Sequence, residues 1–372
     1  MPLYHNDDQA MLADSAREFM KSEAPVAHLR EFRDKNCKDG FSHDLWKKFG
    51  EMGFNGILAS EEDGGLGLGH YEAGIILEEV GRNLSPSPFL TTAVAGVEAL
   101  NAGSADLRKR WLPGIIAGET VLGLAIDEQA KHRPEAISMA AERSGNGFKL
   151  NGKKQFVIHG ASADMLIVAA KTENGVTMFA VENDAKGLSA DAVRLVDSAM
   201  AAHVTFDNVE LTADAVIGEV DQGGEVLDRL LRAGRIGSAA ETVGVGAGAM
   251  DITVTYLKER KQFGQLIGEF QGLQHRAAHL YSEMEISRAV VMKAQQMLDE
   301  GNDKAEMMVS VAKAKAGRTT CLSVREGVQM HGGVGMTDEY DIGLYMKRDR
   351  ALAEFFGDAN YHINRVAEMN GY

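Results

Sequence analysis

Two stretches of the chain decide which fold we expect: Arg260-Lys-Gln-Phe-Gly-Gln-Leu-Ile-Gly-Glu-Phe-Gln271 and Gln329-Met-His-Gly-Gly-Val-Gly335. Both lie in a C-terminal region that otherwise has the pattern of long helices. Because glycine has no Cβ, a Gly-Gly-x-Gly break lets backbone N–H groups approach a ligand closely. A helix N-terminus beyond such a break favours a phosphate, and Arg260 can bind a phosphate oxygen through two hydrogen bonds. Together the stretches indicate a site for a phosphate-bearing ligand.

Length and composition exclude several classes of protein. The chain has 372 residues, enough for two or three packed units. Its net charge of −15 argues against nucleic acid or an anionic membrane as a partner. The two cysteines, Cys37 and Cys321, have no paired spacing, which indicates a reducing compartment. The first residues lack a basic and an apolar segment, and no apolar run is long enough to span a membrane, so we expect a cytoplasmic protein.

The first third of the chain has the pattern of a helical domain. Apolar residues recur at helical spacing through residues 7–21. Ser42 precedes a second apolar run and is the predicted N-cap of its helix. The run Gly64-Gly-Leu-Gly-Leu-Gly69 is similar to a dinucleotide-binding fingerprint, but no apolar strand precedes it. We therefore interpret it as a loop before a helix that begins at His70.

The middle of the chain changes to short β-rich runs separated by turn residues, which suggests a sandwich or barrel. These runs are 121–126, 137–142, 148–150, 155–158, 165–170, 177–181 and 202–206. The rest is helical again, over 224–260, 268–300, 304–330 and 338–355, with a short tail helix. The expected fold class is therefore α+β and multidomain: an N-terminal helical domain (1–116), a middle β-sandwich or barrel (117–222) and a C-terminal four-helix bundle (223–372).

One carboxylate stands out as a candidate base. Glu241 is the only carboxylate between Asp228 and Asp251, and its neighbours are small or apolar. A carboxylate on such a surface loses hydration, which raises its pKa and suits it to take a weakly acidic carbon proton. The alternative is a structural glutamate that faces solvent or pairs with an arginine such as Arg235.

A metal site is a rival interpretation of one helical face. His275, His279 and Glu283 are spaced on one helical face. The sequence has no His-Glu-x-x-His motif, and Gln271 begins the same face. We therefore predict no metal, and place these histidines near the cofactor pocket or on the bundle surface. No Ser-His-Asp or catalytic-cysteine arrangement stands out.

The two glycine-containing stretches, at this spacing, resemble the flavin-binding signature of the acyl-CoA dehydrogenase family. The resemblance covers essentially the whole chain, is strongest from 235 to 360, and implies FAD as the cofactor. In the family, the arginine of the first stretch reaches the pyrophosphate of a flavin in the neighbouring subunit, and the second stretch cradles the adenosine half. The residues that match are Arg260, Gln262, Phe263 and Gln271 in the first stretch, and Gln329, Gly332, Gly333 and Gly335 in the second.

The resemblance also changes the interpretation of Glu241. Acyl-CoA dehydrogenases remove the α-proton of an acyl thioester with a glutamate while the β-hydride passes to flavin N5. The two positions that usually carry this glutamate are occupied here by Phe356 and Gly234, which cannot act as bases. Glu241 lies two turns after Gly234 and is similar to the glutamate of bacterial members that act on bulky or dicarboxylic acyl groups. We therefore predict that Glu241 is the catalytic base.

Other positions match the family less closely. Arg235 matches an arginine near the acyl-CoA site, with a salt bridge inside the bundle as the alternative. Asp358 replaces a threonine near the flavin. The loop 126–132 lacks the glycines and serine that touch the flavin and the thioester in the family. Phe156 could still stack on the flavin ring, whereas Ile158 offers no hydrogen bond. The alternative is that the middle domain is only a packing scaffold.

The resemblance implies an FAD-dependent acyl-CoA dehydrogenase that desaturates an acyl-CoA substrate between Cα and Cβ. It would pass electrons to an electron-transferring flavoprotein, and would form a dimer or tetramer with itself or with a paralogous chain. Two alternatives stay open: a non-catalytic subunit that completes a partner's flavin site, and a flavin oxidase or monooxygenase of the same fold. The acyl group is not given, because glycines at 237, 244, 246 and 248 fit either a widened pocket or close helix packing.

Overall fold

The computed structural model describes residues 3–372, which divide into two compact units. Unit 1 comprises the described part of Met1–Glu31 together with His70–Ser85 and Arg235–Tyr372. Unit 2 comprises Phe32–Gly69 and Pro86–Gly234. The helical N-terminal region therefore contributes to both units.

Unit 2 is built around one sheet of eight strands. In chain order they are β1 (Leu122–Ala125), β2 (Ala140–Ser144), β3 (Gly147–Ile158), β4 (Met165–Lys171), β5 (Val176–Glu182), β6 (Leu188–Arg194), β7 (Met200–Leu211) and β8 (Val216–Ile217). The strands lie in the order β6-β7-β3-β2-β4-β5-β8, with β1 parallel to β4. Six residues of β4 are buried in succession, as is typical of a strand covered on both faces. The predicted β domain is confirmed.

The sequence pattern missed three features of this sheet. Strand β6 is an edge strand with mostly exposed side chains, and β8 has only two residues, so neither has a strong apolar signal. The pair Asn151-Gly152 was predicted to be a turn but lies inside β3. Gly152 there has φ +150°, and the pairing with β7 shifts register beside it, so the glycine accommodates an irregularity within a continuous strand.

Unit 2 also contains helices from the first third of the chain. They are α3 (His43–Glu51), α5 (Val97–Leu100) and α6 (Ala105–Ile116), and α2 (Val26–Asp34) crosses the boundary between the units. The predicted N-cap is confirmed, since Ser42 Oγ accepts a hydrogen bond from Leu45 N at 3.1 Å. Trp46 and Phe49 are fully buried on the inner face of α3.

Unit 1 is a helical assembly. Its helices are α1 (Asp7–Glu23), α4 (His70–Arg82), α7 (Gly223–Glu259, from Arg235 onward), α8 (Gln271–Asp299), α9 (Ala305–His331), α10 (Ile342–Glu354) and α11 (Ala359–Met369). A hairpin of β9 (Lys261–Gln262) and β10 (Gln265–Leu266) joins α7 to α8. The four long helices and the tail helix are confirmed. The glycine stretch forms a short 3₁₀ turn, Gly332–Met336, so α10 begins later than predicted.

Glycines bring the backbones of α4 and α7 into direct contact. A Cβ at Gly81 would collide with the carbonyl oxygen of Glu241, and one at Gly244 would collide with that of Glu78. A Cβ at Gly248 would lie 2.5 Å from the carbonyl oxygen of Arg82. Real Cβ atoms do not approach other atoms so closely. The glycines at 244 and 248 therefore serve close helix packing, the second of the two roles considered from the sequence.

Candidate functional site

Glu241 is buried in the middle of α7 and is held by an arginine. Only 2% of its surface is exposed. Its Oε1 accepts a hydrogen bond from Arg348 Nε at 2.9 Å and a second from Arg348 Nη2, so α10 fixes the orientation of the carboxylate. The arginine that pairs with Glu241 is thus Arg348, and not Arg235 as the structural alternative supposed. Both bonds reach the same oxygen, which leaves Oε2 as the oxygen that could accept a proton.

Arg235 forms the salt bridge that was the alternative to a substrate contact. Its guanidinium is 2% exposed, and Nη1 lies 3.0 Å from Glu306 Oε1 at the start of α9. Nη2 donates to the hydroxyl of Tyr361 at 3.3 Å. Arg365 on α11 also donates to Glu306. This cluster ties α7, α9 and α11 together, and a substrate contact of Arg235 stays a prediction.

Three further ionisable groups are buried near α10 and α11, and none was found from the sequence. Lys313 Nζ donates to the carbonyl oxygen of Leu352 at 2.8 Å, and burial lowers the pKa of Lys313 to about 8. Burial raises the pKa of Asp349 to about 7, although Lys313 opposes the shift. Burial lowers the pKa of His362 to about 2, with Lys313 and Arg235 adding to the effect. The signal in the sequence is a lysine, Lys313, among the small residues of α9.

The loop between α10 and α11 has an unusual backbone. Phe356 has φ +58° and Gly357 has φ +102°, so two consecutive residues lie at positive φ. The first of these is uncommon for a bulky side chain. His362 Nε2 lies 3.0 Å from the carbonyl oxygen of Phe356. Asp358, a predicted flavin contact, is the N-cap of α11 and accepts a hydrogen bond from Tyr361 N at 2.8 Å.

The first predicted cofactor stretch forms an exposed end of unit 1. Arg260 follows α7 directly and is exposed, as are Gln262 on β9 and Gln271 at the start of α8. Phe263, at the tip of the hairpin, has φ +54° and is 93% exposed. Its ring is therefore accessible to a ligand or to a second chain.

The second stretch lies at the same end of unit 1. Gln329, Gly332 and Gly333 are exposed, and a Cβ at either glycine would meet no atom within 4 Å. A small apolar cluster of Leu257, Ile267 and Met330 packs the end of α7, the hairpin segment and the end of α9 together. The structure thus brings the two stretches to one place, with open glycine backbone near an exposed arginine. This arrangement fits a cofactor that carries phosphates.

In unit 2, Phe156, which is predicted to lie near the flavin ring, has an unusual backbone and a ring contact. Phe156 lies at a register shift in β3, has φ +50° and is 42% exposed. Its ring meets His203 edge-on, with centroids 4.9 Å apart. A non-glycine residue held at positive φ in a strand is a strained position of the kind found at binding sites.

The loop that departs from the family pattern is anchored by a buried ion pair. Lys154 Nζ donates to Glu128 Oε1 and to the carbonyl oxygen of Ile126, each at 2.9 Å. Burial acts to raise the pKa of Glu128, but hydrogen bonds from Lys154 and Ser138 outweigh it and lower the pKa. The sequence carries no local signal for this pair, because Lys154 and Glu128 are 26 residues apart.

The three side chains on α8 that were considered as metal ligands are not arranged as a metal site. Glu283 pairs with Lys315 on α9, while His275 and His279 are exposed. Among residues 3–372 no group of three or more potential ligands is placed to hold a metal ion. Within the same residues, no helix is long and apolar enough to cross a membrane.

Comparison with known proteins relates this chain to one family along almost its whole length. The sequence models of the acyl-CoA dehydrogenase N-terminal, middle and C-terminal domains match residues 6–119, 126–209 and 221–370. Acyl-CoA dehydrogenase FadE12 of Mycobacterium tuberculosis is 33% identical over 331 residues, which cover 86% of this chain and 85% of the relative.

Solved structures agree with the sequence matches. A variant of the Tcur3481-Tcur3483 steroid ACAD is 30% identical, with a TM-score of 0.89 and 98% of each chain covered. The electron transferring flavoprotein structure of Acidaminococcus fermentans contains a chain that is 26% identical, with a TM-score of 0.92 and full coverage of both chains. This chain therefore belongs to the acyl-CoA dehydrogenase family of FAD-dependent oxidoreductases.

Proposed function

We propose that the protein desaturates an acyl-CoA between Cα and Cβ, with Glu241 as the base that takes the α-proton. The observation that carries the proposal is the position of this carboxylate. It is buried on α7, and Arg348 holds one of its oxygens at 2.9 Å. A base that has a fixed orientation and is buried from solvent is suited to proton transfer from carbon.

Each of these residues then has a defined role in the reaction. Oε2 of Glu241 accepts the α-proton, while Arg348 keeps Oε1 in place. The negative charge that develops on the thioester oxygen needs hydrogen-bond donors, and the backbone N–H at Phe356 is the proposed protein donor, since a main-chain group survives the replacement of the usual glutamate. FAD, when bound, supplies the two-electron acceptor for the β-hydride.

The cofactor contacts belong to the same proposal. Arg260 and Gln262 would meet the pyrophosphate region, with Phe263 and Gln271 beside them. Gln329, Gly332 and Gly333 would hold the adenosine half. Phe156 and Asp358 would lie near the flavin ring, and Arg235 near the acyl-CoA. Exposure of the first two sets supports this assignment.

We further propose an electron-transferring flavoprotein as the electron acceptor and an assembly with a second copy or a paralogous chain. The accessibility of Phe263, which lets its ring pack against another chain, is compatible with such an assembly. The absence of a disulfide between the described cysteines, Cys37 and Cys321, is consistent with the proposed cytoplasmic location. We also propose that the chain has three domains, 1–116, 117–222 and 223–372.

The test is an anaerobic titration of the purified protein with straight-chain, branched, dicarboxylic and steroid side-chain acyl-CoAs. The flavin absorption near roughly 450 nm should bleach with at least one of them. Glu241→Gln should retain FAD and lose bleaching by about 1,000-fold in rate, whereas Glu225→Gln, at an exposed position of the same helix, should behave as wild type.

Other outcomes identify the alternatives. A Glu241→Gln variant that bleaches at the wild-type rate would refute the assignment of the base. A protein that purifies without flavin and acquires it only with a paralogous chain would favour the non-catalytic subunit. Oxygen consumption without an acceptor protein would favour an oxidase or monooxygenase.

A further inference from the structure

The loop Phe355–Asp358 lies beside the proposed base. Arg348, which holds Glu241, places its guanidinium carbon 5.8 Å from the ring centre of Phe355. The loop and the carboxylate are therefore linked through one side chain. Any group that fixes the backbone of this loop also fixes its placement relative to Glu241.

The backbone of this loop is held in a conformation that it would not choose by itself. A phenylalanine at φ +58° costs free energy, and such strain persists only where surrounding contacts determine it. A Cβ at Gly357 would lie 3.1 Å from His362 Nε2 and still closer to the ring of Tyr361, so the chain passes directly over these two side chains. The glycine is required by both its φ of +102° and this close approach.

His362 supplies a hydrogen bond to the carbonyl oxygen of Phe356. The imidazole is fully buried on α11, and its Nε2 lies 3.0 Å from the carbonyl oxygen of Phe356. A carbonyl oxygen can only accept, so Nε2 must carry the hydrogen. Nδ1 is buried and has no hydrogen-bond partner among the described residues. Burying an unsatisfied nitrogen is unfavourable, which argues that the Nε2 bond is retained for what it does to the loop.

We propose that His362 is a positioning residue for the donor that meets the thioester carbonyl of the substrate. Its contact with the carbonyl oxygen of Phe356 fixes the backbone of this residue. The orientation of the Phe356 N–H, which belongs to the preceding peptide group, is thereby fixed as well. The inference rests on the proposed function, because it concerns the donor that meets the developing charge. His362 acts through the main chain and touches no reacting atom. Its role replaces none of the roles assigned to Glu241 or Arg348.

The test compares binding of two ligands to the FAD-loaded protein by calorimetry. The thioester ligand is the enoyl-CoA product of an acyl-CoA that the titration above identifies. Its binding is measured anaerobically, which avoids turnover. The other is the S-alkyl-CoA thioether of the same chain, which lacks the carbonyl oxygen. The variants are His362→Gln, which retains an N–H donor of similar reach, and His362→Leu, which has none. His362→Asn keeps an amide that is too short to reach Phe356.

His362→Leu and His362→Asn should weaken binding of the thioester about 10-fold and leave binding of the thioether unchanged. His362→Gln should restore thioester binding to within about threefold of wild type. Equal weakening of both ligands by His362→Asn would mean a purely structural role and would overturn the proposal, as would unchanged thioester binding. If His362→Leu does not fold, the comparison of Asn with Gln decides. Wild-type protein that binds neither ligand would refute the proposed function itself, and the inference with it.

Discussion

The pairing of Glu241 with Arg348 predicts that the two residues depend on each other for stability. Replacing the arginine in Arg348→Met leaves a carboxylate that is 2% exposed without its partner, which should lower the free energy of unfolding by about 3 kcal/mol. Adding Glu241→Gln removes the buried charge, so the double variant should recover part of the loss. Urea unfolding at pH 7 measures both. Simple additivity of the two single changes would contradict the coupling.

Asp349 predicts a specific dependence of stability on pH. Its pKa is raised from 3.8 to about 7 in the folded protein, so the folded state keeps a proton that the unfolded state has released between those values. Stability should therefore fall as pH rises from about 4 to 7, by at most about 1.4 kcal/mol per pH unit. The lowered pKa of Lys313, about 8, has the opposite effect between pH 8 and 10.5, where stability should rise with pH.

Asp349→Asn separates this contribution from the other titrating groups. The difference in unfolding free energy between wild type and variant should change with the stated slope between pH 4 and 7 and stay flat below pH 4. A difference that is constant from pH 4 to 7 would show that Asp349 is ionised throughout. Arg350→Gln is a second test, because removing this exposed cation should raise the pKa of Asp349 further.

At the scale of elements, the close crossing of α4 and α7 predicts opposite effects of glycine-to-alanine substitutions on stability. A substitution at the crossing should destabilise the protein, whereas one at a glycine with open space around it should stabilise it. Gly244→Ala places a methyl group against the carbonyl oxygen of Glu78 and should destabilise unit 1 by about 2 kcal/mol or more. Gly317→Ala, inside α9, meets no atom within 4 Å and should stabilise by about 0.5–1 kcal/mol. Thermal unfolding of the two variants tests the difference. Equal effects would mean that the helices can move apart at no cost.

The elements also show what periodicity can and cannot reveal. The ends of long helices such as α8 and α9 were predicted within a few residues. The reason is that apolar residues recur over several turns on the side that faces the core. The edge strand β6 was missed because its side chains are mostly exposed. The turn signal of Asn151-Gly152 was misleading, since a glycine at positive φ also occurs inside β3, where Gly152 has φ +150°. Local residue preference does not distinguish a turn from a strand irregularity, which is set by the pairing partner.

At the scale of the whole molecule, the proposed two-subunit flavin site predicts complementation between inactive variants. Glu241→Gln lacks the proposed base, and Arg260→Ala lacks the proposed phosphate contact. If Arg260 serves the neighbouring subunit, a mixed dimer contains one site with an intact Glu241 and an intact Arg260. Co-refolded or co-expressed equimolar variants should then regain about a quarter of wild-type activity, as half the dimers are mixed and each has one intact site of two. The matching control is each variant alone.

The result distinguishes the two possible arrangements. If Arg260 contacts the flavin of its own subunit, every site in the mixed dimer retains one defect, and activity should not exceed the sum of the separate variants. The exposure of Arg260 and Phe263 at the end of unit 1 is the structural reason for expecting complementation.

The sequence by itself determined the order of helical and β regions, the resemblance of the two glycine-containing stretches to the family and the isolation of Glu241 among small residues, because these are properties of local pattern and motif. Only the tertiary structure decided which arginine pairs with Glu241, that Arg235 binds Glu306, and that His362 holds Phe356. Partners such as Glu241 and Arg348 are separated by more than a hundred residues. Their contact depends on helix packing through glycines and on burial, which set charge and orientation only once the chain is folded.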